Sequence, residues 1–260
     1  MKRKLYTKSH DLNILKEIDH QGGQFTAEEH AYAVEKEFGD THFKTKDDLL
    51  RWYLQGNWNK LPSLSFLIEH IIKNRYQNVL SLGSGQCVLE YLLKLSLTED
   101  VAVVASDFDA YFIKKAKQFF PEITAVTFDL FREDMNDLEN KVKRKFDLAV
   151  FFFSAYVMDD RQLVNIFSGL KKSGVKEIVD FHAGYLDMAG VFRYWLEPLT
   201  KNNLLRRVFK KSLLNQGDYI GKFYGFARSR GVLRSLYKES GLEIVKETSV
   251  GDYKYVAILK

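Results

Sequence analysis

Two glycines one residue apart, Gly83 and Gly85, follow the apolar run Asn78-Val79-Leu80-Ser81-Leu82 and precede a stretch with helical spacing. A strand that turns sharply into a helix can present its backbone to a ligand. Glycine suits such a turn because it accepts unusual backbone angles and because a ligand approaching the main chain meets no Cβ. Taken alone, the pair describes an ordinary turn equally well. Its context is more telling. About twenty residues on, the run Val103-Val104-Ala105-Ser106 ends at Asp107, and an acid at the tip of a second strand is placed to hold a ribose diol. The competing role, a helix N-cap, falls naturally to Asp109. Farther along, His182 directly follows the strand expected at 177–181, a position suited to a general base, and Tyr156 follows the run 146–153 in an orienting position. A histidine bonded to a neighbouring loop is the alternative for His182.

These residues need elements to position them, and three zones emerge from the pattern. Residues 1–74 read as a helical cap segment, with helices over 27–38, 46–54 and 64–72; Thr26 with Glu29 forms a capping box and Thr45 with Asp48 an acidic analogue. Residues 77–182 alternate strand and helix. Strands are expected at 78–82, 101–106, 123–128, 146–153 and 177–181, with helices at 88–97, 111–120 and 161–170. The stretch 148–158 is too short to span a bilayer and reads as buried strand. Runs apolar on both faces and separated by helices mean an α/β fold around a parallel sheet covered on both sides. Residues 187–260 begin with a helical insertion over about 187–228, including a basic helical segment at 203–214. A helix at 229–240 follows, closed by Gly241, and then two strands, 242–248 and 253–259, joined at Gly251-Asp252.

Composition bounds the rest. With 46% apolar and 28% charged residues and only 3 prolines, the chain is globular, not disordered. A single cysteine, Cys87, excludes a disulfide framework and a thiolate cluster, and the six histidines lack ligand spacing, so no metal is expected. No apolar core follows the basic start Met1-Lys2-Arg3-Lys4, and a cytoplasmic location is the expectation.

The order Leu-Gly-Ser-Gly at 82–85, Ala-Ser-Asp-Phe-Asp at 105–109, Phe128-Asp129, and Phe146-Asp147-Leu148-Ala149-Val150 resembles the class I S-adenosylmethionine-dependent methyltransferases over about residues 77–182. The resemblance implies a mostly parallel Rossmann-like sheet with a terminal antiparallel hairpin. It also implies S-adenosyl-L-methionine as cofactor, with S-adenosyl-L-homocysteine as product. It places Leu82, Gly83, Ser84 and Gly85 along the amino-acid part of the cofactor and Asp107 on the ribose hydroxyls. Phe108 falls against the adenine, Asp129 with Leu130 at the adenine amino edge, and Phe152 and Phe153, with Ser154, beside the methionine and the reactive methyl. Two positions depart from the pattern. Ser81 stands where the family's first motif usually opens with an acid that helps hold the amino group, which implies a weaker or rearranged contact. Cys87 stands at the third glycine position and reads as a packed side chain. Val88 occupies what would be the last glycine of a dinucleotide fingerprint, which disfavours a nicotinamide cofactor.

For the acceptor, Tyr53 and Trp58, with Trp52, lie close together in the cap segment as candidate substrate contacts, with ordinary helix packing as the alternative. Between 201 and 238, Arg206, Arg207, Lys210, Lys211, Lys222, Arg228, Arg230 and Arg234 are opposed in sequence by Asp218 alone before the acid of the 229–240 helix. Three readings stay open for this segment: a solvated face, a site for a phosphorylated or carboxylated small acceptor with Arg206 and Lys210 as contacts, or a surface for RNA or a membrane. The functional expectation is methyl transfer to an O or N of a small anionic acceptor. The alternatives are an RNA methyltransferase using 201–238 and a non-catalytic scaffold. Phe151-Phe152-Phe153-Ser154, in place of an Asn-Pro-Pro-Tyr-like motif, disfavours amino methylation of bases or glutamine.

Overall fold

A computed structural model describes residues 6–7, 44–183, 185–186, 225–226, 228–251 and 253–260. The expected helices at 27–38 and 203–214, and with them Arg206 and Lys210, lie outside the described residues.

Seven strands form one sheet: β1 (Asn78–Leu82), β2 (Ala102–Asp107), β3 (Thr124–Thr127), β4 (Leu148–Phe152), β5 (Glu177–Phe181), β6 (Ile244–Val250) and β7 (Tyr253–Leu259). Their spatial order is β3-β2-β1-β4-β5-β7-β6. Strands β1 to β5 pair in parallel, and β7 runs antiparallel to both β5 and β6. This is the mostly parallel sheet with a terminal hairpin that the sequence implies. Two short pairings, Tyr6–Thr7 with Gly225–Phe226 and Tyr185–Leu186 with Arg228–Ser229, lie outside it.

Alternation along the strands divides the core into two. Val79, Val103, Val150 and Val179 face one side, covered by α1 (Lys46–Asn57), α2 (Leu61–Asn74), α3 (Val88–Leu95) and α4 (Ala110–Phe119) through residues such as Leu49, Leu67, Ile71, Leu93 and Ile113. Leu80, Val104, Ala149 and Ile178 face the other, covered by α5 (Met135–Val142), α6 (Asp160–Lys172) and α7 (Arg230–Glu239) through Leu138, Phe167 and Leu233. The helices start where local chemistry tells them to. Thr45 and Asp48 form a reciprocal capping box at α1, and Asp159 with Gln162 does the same for α6. No described helix is long and apolar enough to cross a membrane.

Two sequence expectations are corrected. The strand expected at 146–153, within an apolar stretch running to Met158, is shorter: β4 ends at Phe152, because Phe153 takes a left-handed φ of 61° and residues Ala155–Val157 form a 3-10 turn. The helix α5 was not expected. It carries only two buried residues, Met135 and Leu138, and starts with a capping box between Asp134 and Asp137.

Candidate functional site

The first strand sits between β2 and β4, so the chain leaves it toward β2 on one side and later returns to β4 on the other. In open α/β sheets the crevice at the carboxyl ends of strands at such a switch point receives ligands. The two glycines occupy that place. Gly83 has φ 69° and Gly85 φ 54°.

The two glycines are needed for different reasons. A Cβ on Gly83 would lie 2.6 Å from Cβ of Ser154, so this glycine lets the end of β1 touch the end of β4. Ser154 completes that junction by donating its hydroxyl to the Leu82 carbonyl at 2.5 Å. A Cβ on Gly85 would meet nothing within 4 Å, which leaves the main chain open to an approaching group. The loop is pinned to β2 from below. Gly83 and Ser84 both donate their N–H to the Ser106 carbonyl, at 2.9 and 3.0 Å. Gly85 donates its N–H to Oδ2 of Asp107 at 2.8 Å, and Asp109 donates its own to Oδ1 at 2.9 Å. Asp109 caps α4 by accepting the Tyr111 N–H.

Cys87 adopts φ 59° at the start of α3, the backbone state of a glycine without being one. It is fully buried, and burial raises its thiol well above the ordinary range, consistent with a packed side chain. Its sulfur lies 3.2 Å from the Ser84 hydroxyl. The Leu82 side chain points into the core under α5 and α6, so only its main chain is available to a ligand.

Phe108 is half-buried beside Asp107, and Leu130 packs against the second core cluster. Asp129 turns its own loop: Oδ1 accepts the Phe131 N–H at 2.9 Å, and Oδ2 lies 3.6 Å from Arg132. At the end of β4, Phe152 is buried and stacks on Phe181 with centroids 5.1 Å apart. Phe153, turned by its left-handed backbone, stacks on Tyr253 of β7 at 3.8 Å.

Sequence reasoning missed the most unusual group here. Glu90, in the first turn of α3, is 1% exposed. Its Oε1 accepts the Ser81 hydroxyl at 2.6 Å, while Oε2 has no hydrogen-bond partner. Burial pushes this carboxyl up to about 7. Its field reaches Asp107, Tyr53 and Lys60. Lys60, just before α2, lies with Nζ 5.4 Å from the ring centres of both Tyr53 and Phe153, and desolvation pulls it down to about 8. The available signal was a lone acid inside the apolar helix Val88-Leu89-Glu90-Tyr91-Leu92-Leu93. Of the cap aromatics, Tyr53 is buried in the core next to this group, whereas Trp58 is 70% exposed.

At the end of β5, His182 is 1% exposed. Its Nδ1 lies 3.1 Å from Oδ2 of Asp180, which also accepts the Tyr237 hydroxyl at 2.7 Å. With Nδ1 protonated toward the carboxylate, Nε2 keeps its lone pair, and it has no partner among the described residues. Tyr156, in the turn after β4, has its phenol pushed up to about 12 by burial, so its hydroxyl keeps its proton at neutral pH. The described arginines of the basic run are already engaged. Arg230 and Arg234 both bind Glu247, and buried Arg228 pairs with Asp160 at 3.0 Å.

No family model and no curated protein matches the chain. Solved structures do resemble it. Magnesium protoporphyrin IX methyltransferase ChlM from Synechocystis PCC 6803, with bound SAH, superposes with a TM-score of 0.53 at 14% identity, covering 88% of this chain and 97% of that one. A S-adenosylmethionine-dependent methyltransferase from Clostridium acetobutylicum ATCC 824 gives 0.52 at 13% identity, over 82% and 98%. The S-adenosylmethionine-dependent methyltransferase SibL gives 0.54 at 12% identity, over 90% and 72%. Such identities speak to architecture, and together with the strand order they lead to one conclusion: the chain has the Rossmann-like fold of the class I S-adenosylmethionine-dependent methyltransferases.

Proposed function

We propose that the chain binds S-adenosyl-L-methionine and transfers its methyl group to an oxygen or nitrogen of a small, anionic acceptor. The observation that carries this reading is the glycine loop held against Asp107 by the Gly85 N–H, with the Cβ side of Gly85 open. A carboxylate, an open main chain and the half-buried Phe108 beside them suit a ligand with a diol and an aromatic base. In this reading Asp107 accepts the ribose hydroxyls. Phe108 packs on the adenine, with Asp129 and Leu130 at its edge. Phe152, Phe153 and Ser154 border the methionine portion.

When bound, the cofactor supplies an electrophilic methyl group on a sulfonium, and alignment of the acceptor provides most of the acceleration. Asp180 holds His182 with Nδ1 protonated, which leaves Nε2 to take the proton of a hydroxyl acceptor. Tyr156 donates a hydrogen bond that orients the acceptor, and Trp58 and Tyr53 belong to the cap that excludes water from it. Arg206 and Lys210 enter as acceptor contacts on sequence grounds. A small acceptor is favoured over RNA because Arg228, Arg230 and Arg234 are each paired with an acid.

Calorimetric titration with S-adenosylhomocysteine, beside NADH, tests the cofactor; binding of the former alone is expected, and binding of neither overturns the reading. Labelled S-adenosylmethionine offered to a panel of phosphorylated and carboxylated metabolites, beside bulk RNA, tests the acceptor; transfer to RNA alone overturns the small-molecule assignment.

A further inference from the structure

We propose that Glu90, oriented by Ser81, is the carboxylate that receives the ammonium group of the cofactor's amino-acid portion. The inference rests on the cofactor reading above and assigns one group within it. It starts from a cost. A carboxylate with no solvent access and one oxygen without a partner is among the least favourable things a core can hold, and such a group persists where something else uses it. An apolar residue of similar size would satisfy α3 better as a packing element.

Three observations say what uses it. The first is place: Ser81 is the strand residue just before the glycine loop and Glu90 is in the first helical turn after it, so their 2.6 Å hydrogen bond spans the loop that would carry the ligand. The second is sign. The carboxylate already destabilises its own charge by burial and by the neighbouring Asp107, so its unpartnered oxygen calls for a cation. The third is the surrounding wall. The Tyr53 and Phe153 rings each lie 5.4 Å from the Lys60 ammonium, a group whose charge couples to Glu90, so aromatic faces suited to a cation stand beside the carboxylate. A ligand ammonium at Oε2 would satisfy the orphan atom and neutralise the pair. Ser81 instead commits its hydroxyl to Oε1 of Glu90 and so orients the carboxylate. The carboxylate function has thus moved from the strand to the helix on the far side of the loop.

The test compares S-adenosylhomocysteine, which carries the ammonium, with 5′-methylthioadenosine, which lacks the whole amino-acid portion. Both are titrated by calorimetry into the full chain and its Glu90→Gln variant. Loss of a charge-assisted hydrogen bond predicts a fall of roughly 10-fold or more for S-adenosylhomocysteine. The affinity for 5′-methylthioadenosine should stay within about twofold, the change expected where no contact is lost. A Ser81→Asp change added to Glu90→Gln puts a carboxylate back on the strand and should restore most of the lost affinity. If Glu90→Gln fails to melt cooperatively, Ser81→Ala replaces it, with a smaller loss confined to the same ligand. Unchanged binding of S-adenosylhomocysteine, or an equal loss for both ligands, overturns the assignment of Glu90 while leaving the cofactor reading intact. Failure of the unmodified chain to bind either ligand overturns both.

Discussion

At Gly83 a single hydrogen atom decides whether two strands can meet. A Gly83→Ala change would set a methyl 2.6 Å from Cβ of Ser154 and impose a left-handed backbone on a residue with a side chain. A destabilisation of about 2–4 kcal/mol is expected, read by chemical denaturation. Adding Ser154→Gly should recover the steric part only. Glu90 gives a pH signature of its own. Its carboxyl is raised from 4.5 to about 7 by burial, so between those values the folded chain holds a proton that the unfolded chain has released. Stability therefore falls as pH rises through that window. Glu90→Gln should melt higher than the unmodified chain at pH 8 and no higher near pH 4; identical melting at both would show the carboxyl is not perturbed. For His182, replacement by Ala should lower methyl transfer to a hydroxyl acceptor by about 10²–10⁴-fold and leave S-adenosylhomocysteine binding unchanged, measured by single-turnover transfer and calorimetry. The place of Asp107 beside the glycine loop was legible in the sequence because its spacing from the glycines carries the information. Glu90 was not, because its meaning depends on Ser81, which reaches it only after the loop has folded back.

Elements were legible to the degree that burial is periodic. The runs 78–82, 177–181 and 253–259 match β1, β5 and β7 because each is bounded by clear polar or turn residues. The end of β4 was misread because hydrophobicity continues through Phe153 while the backbone turns left-handed there. The helix α5 was missed because its apolar stripe is only three residues, Met135, Leu138 and Val142, and its capping box uses two aspartates. Between elements, Glu247 of β6 accepts from Arg230 and Arg234 of α7 and from Tyr255 of β7, clamping the hairpin to the last helix. The Arg234 guanidinium, with Arg230 and Tyr255, holds this carboxyl down from 4.5 to about 2. A depressed acid stabilises the fold fully above its unfolded value, and that contribution is lost as pH falls through about 2. Glu247→Gln should therefore flatten the acid side of the stability profile below about pH 4.5, seen as a shallower fall in melting temperature between pH 5 and 2.

For the whole molecule, the architecture was legible because five strands interleaved with helices admit few arrangements, and the strand order found is among them. The packing of the cap segment was less so. Leu49, Tyr53, Leu64, Leu67 and Ile71 join the same core cluster as β1 and α3, which gives α1 and α2 a structural share in that face of the sheet. S-adenosylhomocysteine at 100 times its dissociation constant should then add about 2.7 kcal/mol to the stability of the whole chain, read as a rise in melting temperature. No rise at saturating ligand would count against the cofactor assignment.

The antiparallel pairing of β7 with β5 has an evolutionary side. Four register pairs, from Val256 against Phe181 to Leu259 against Ile178, close the sheet across everything encoded between them. Closing a longer segment adds only about 0.6 kcal/mol for each doubling of its length. The chain between Phe181 and Val256 can therefore change length at little cost while that seam stays shut.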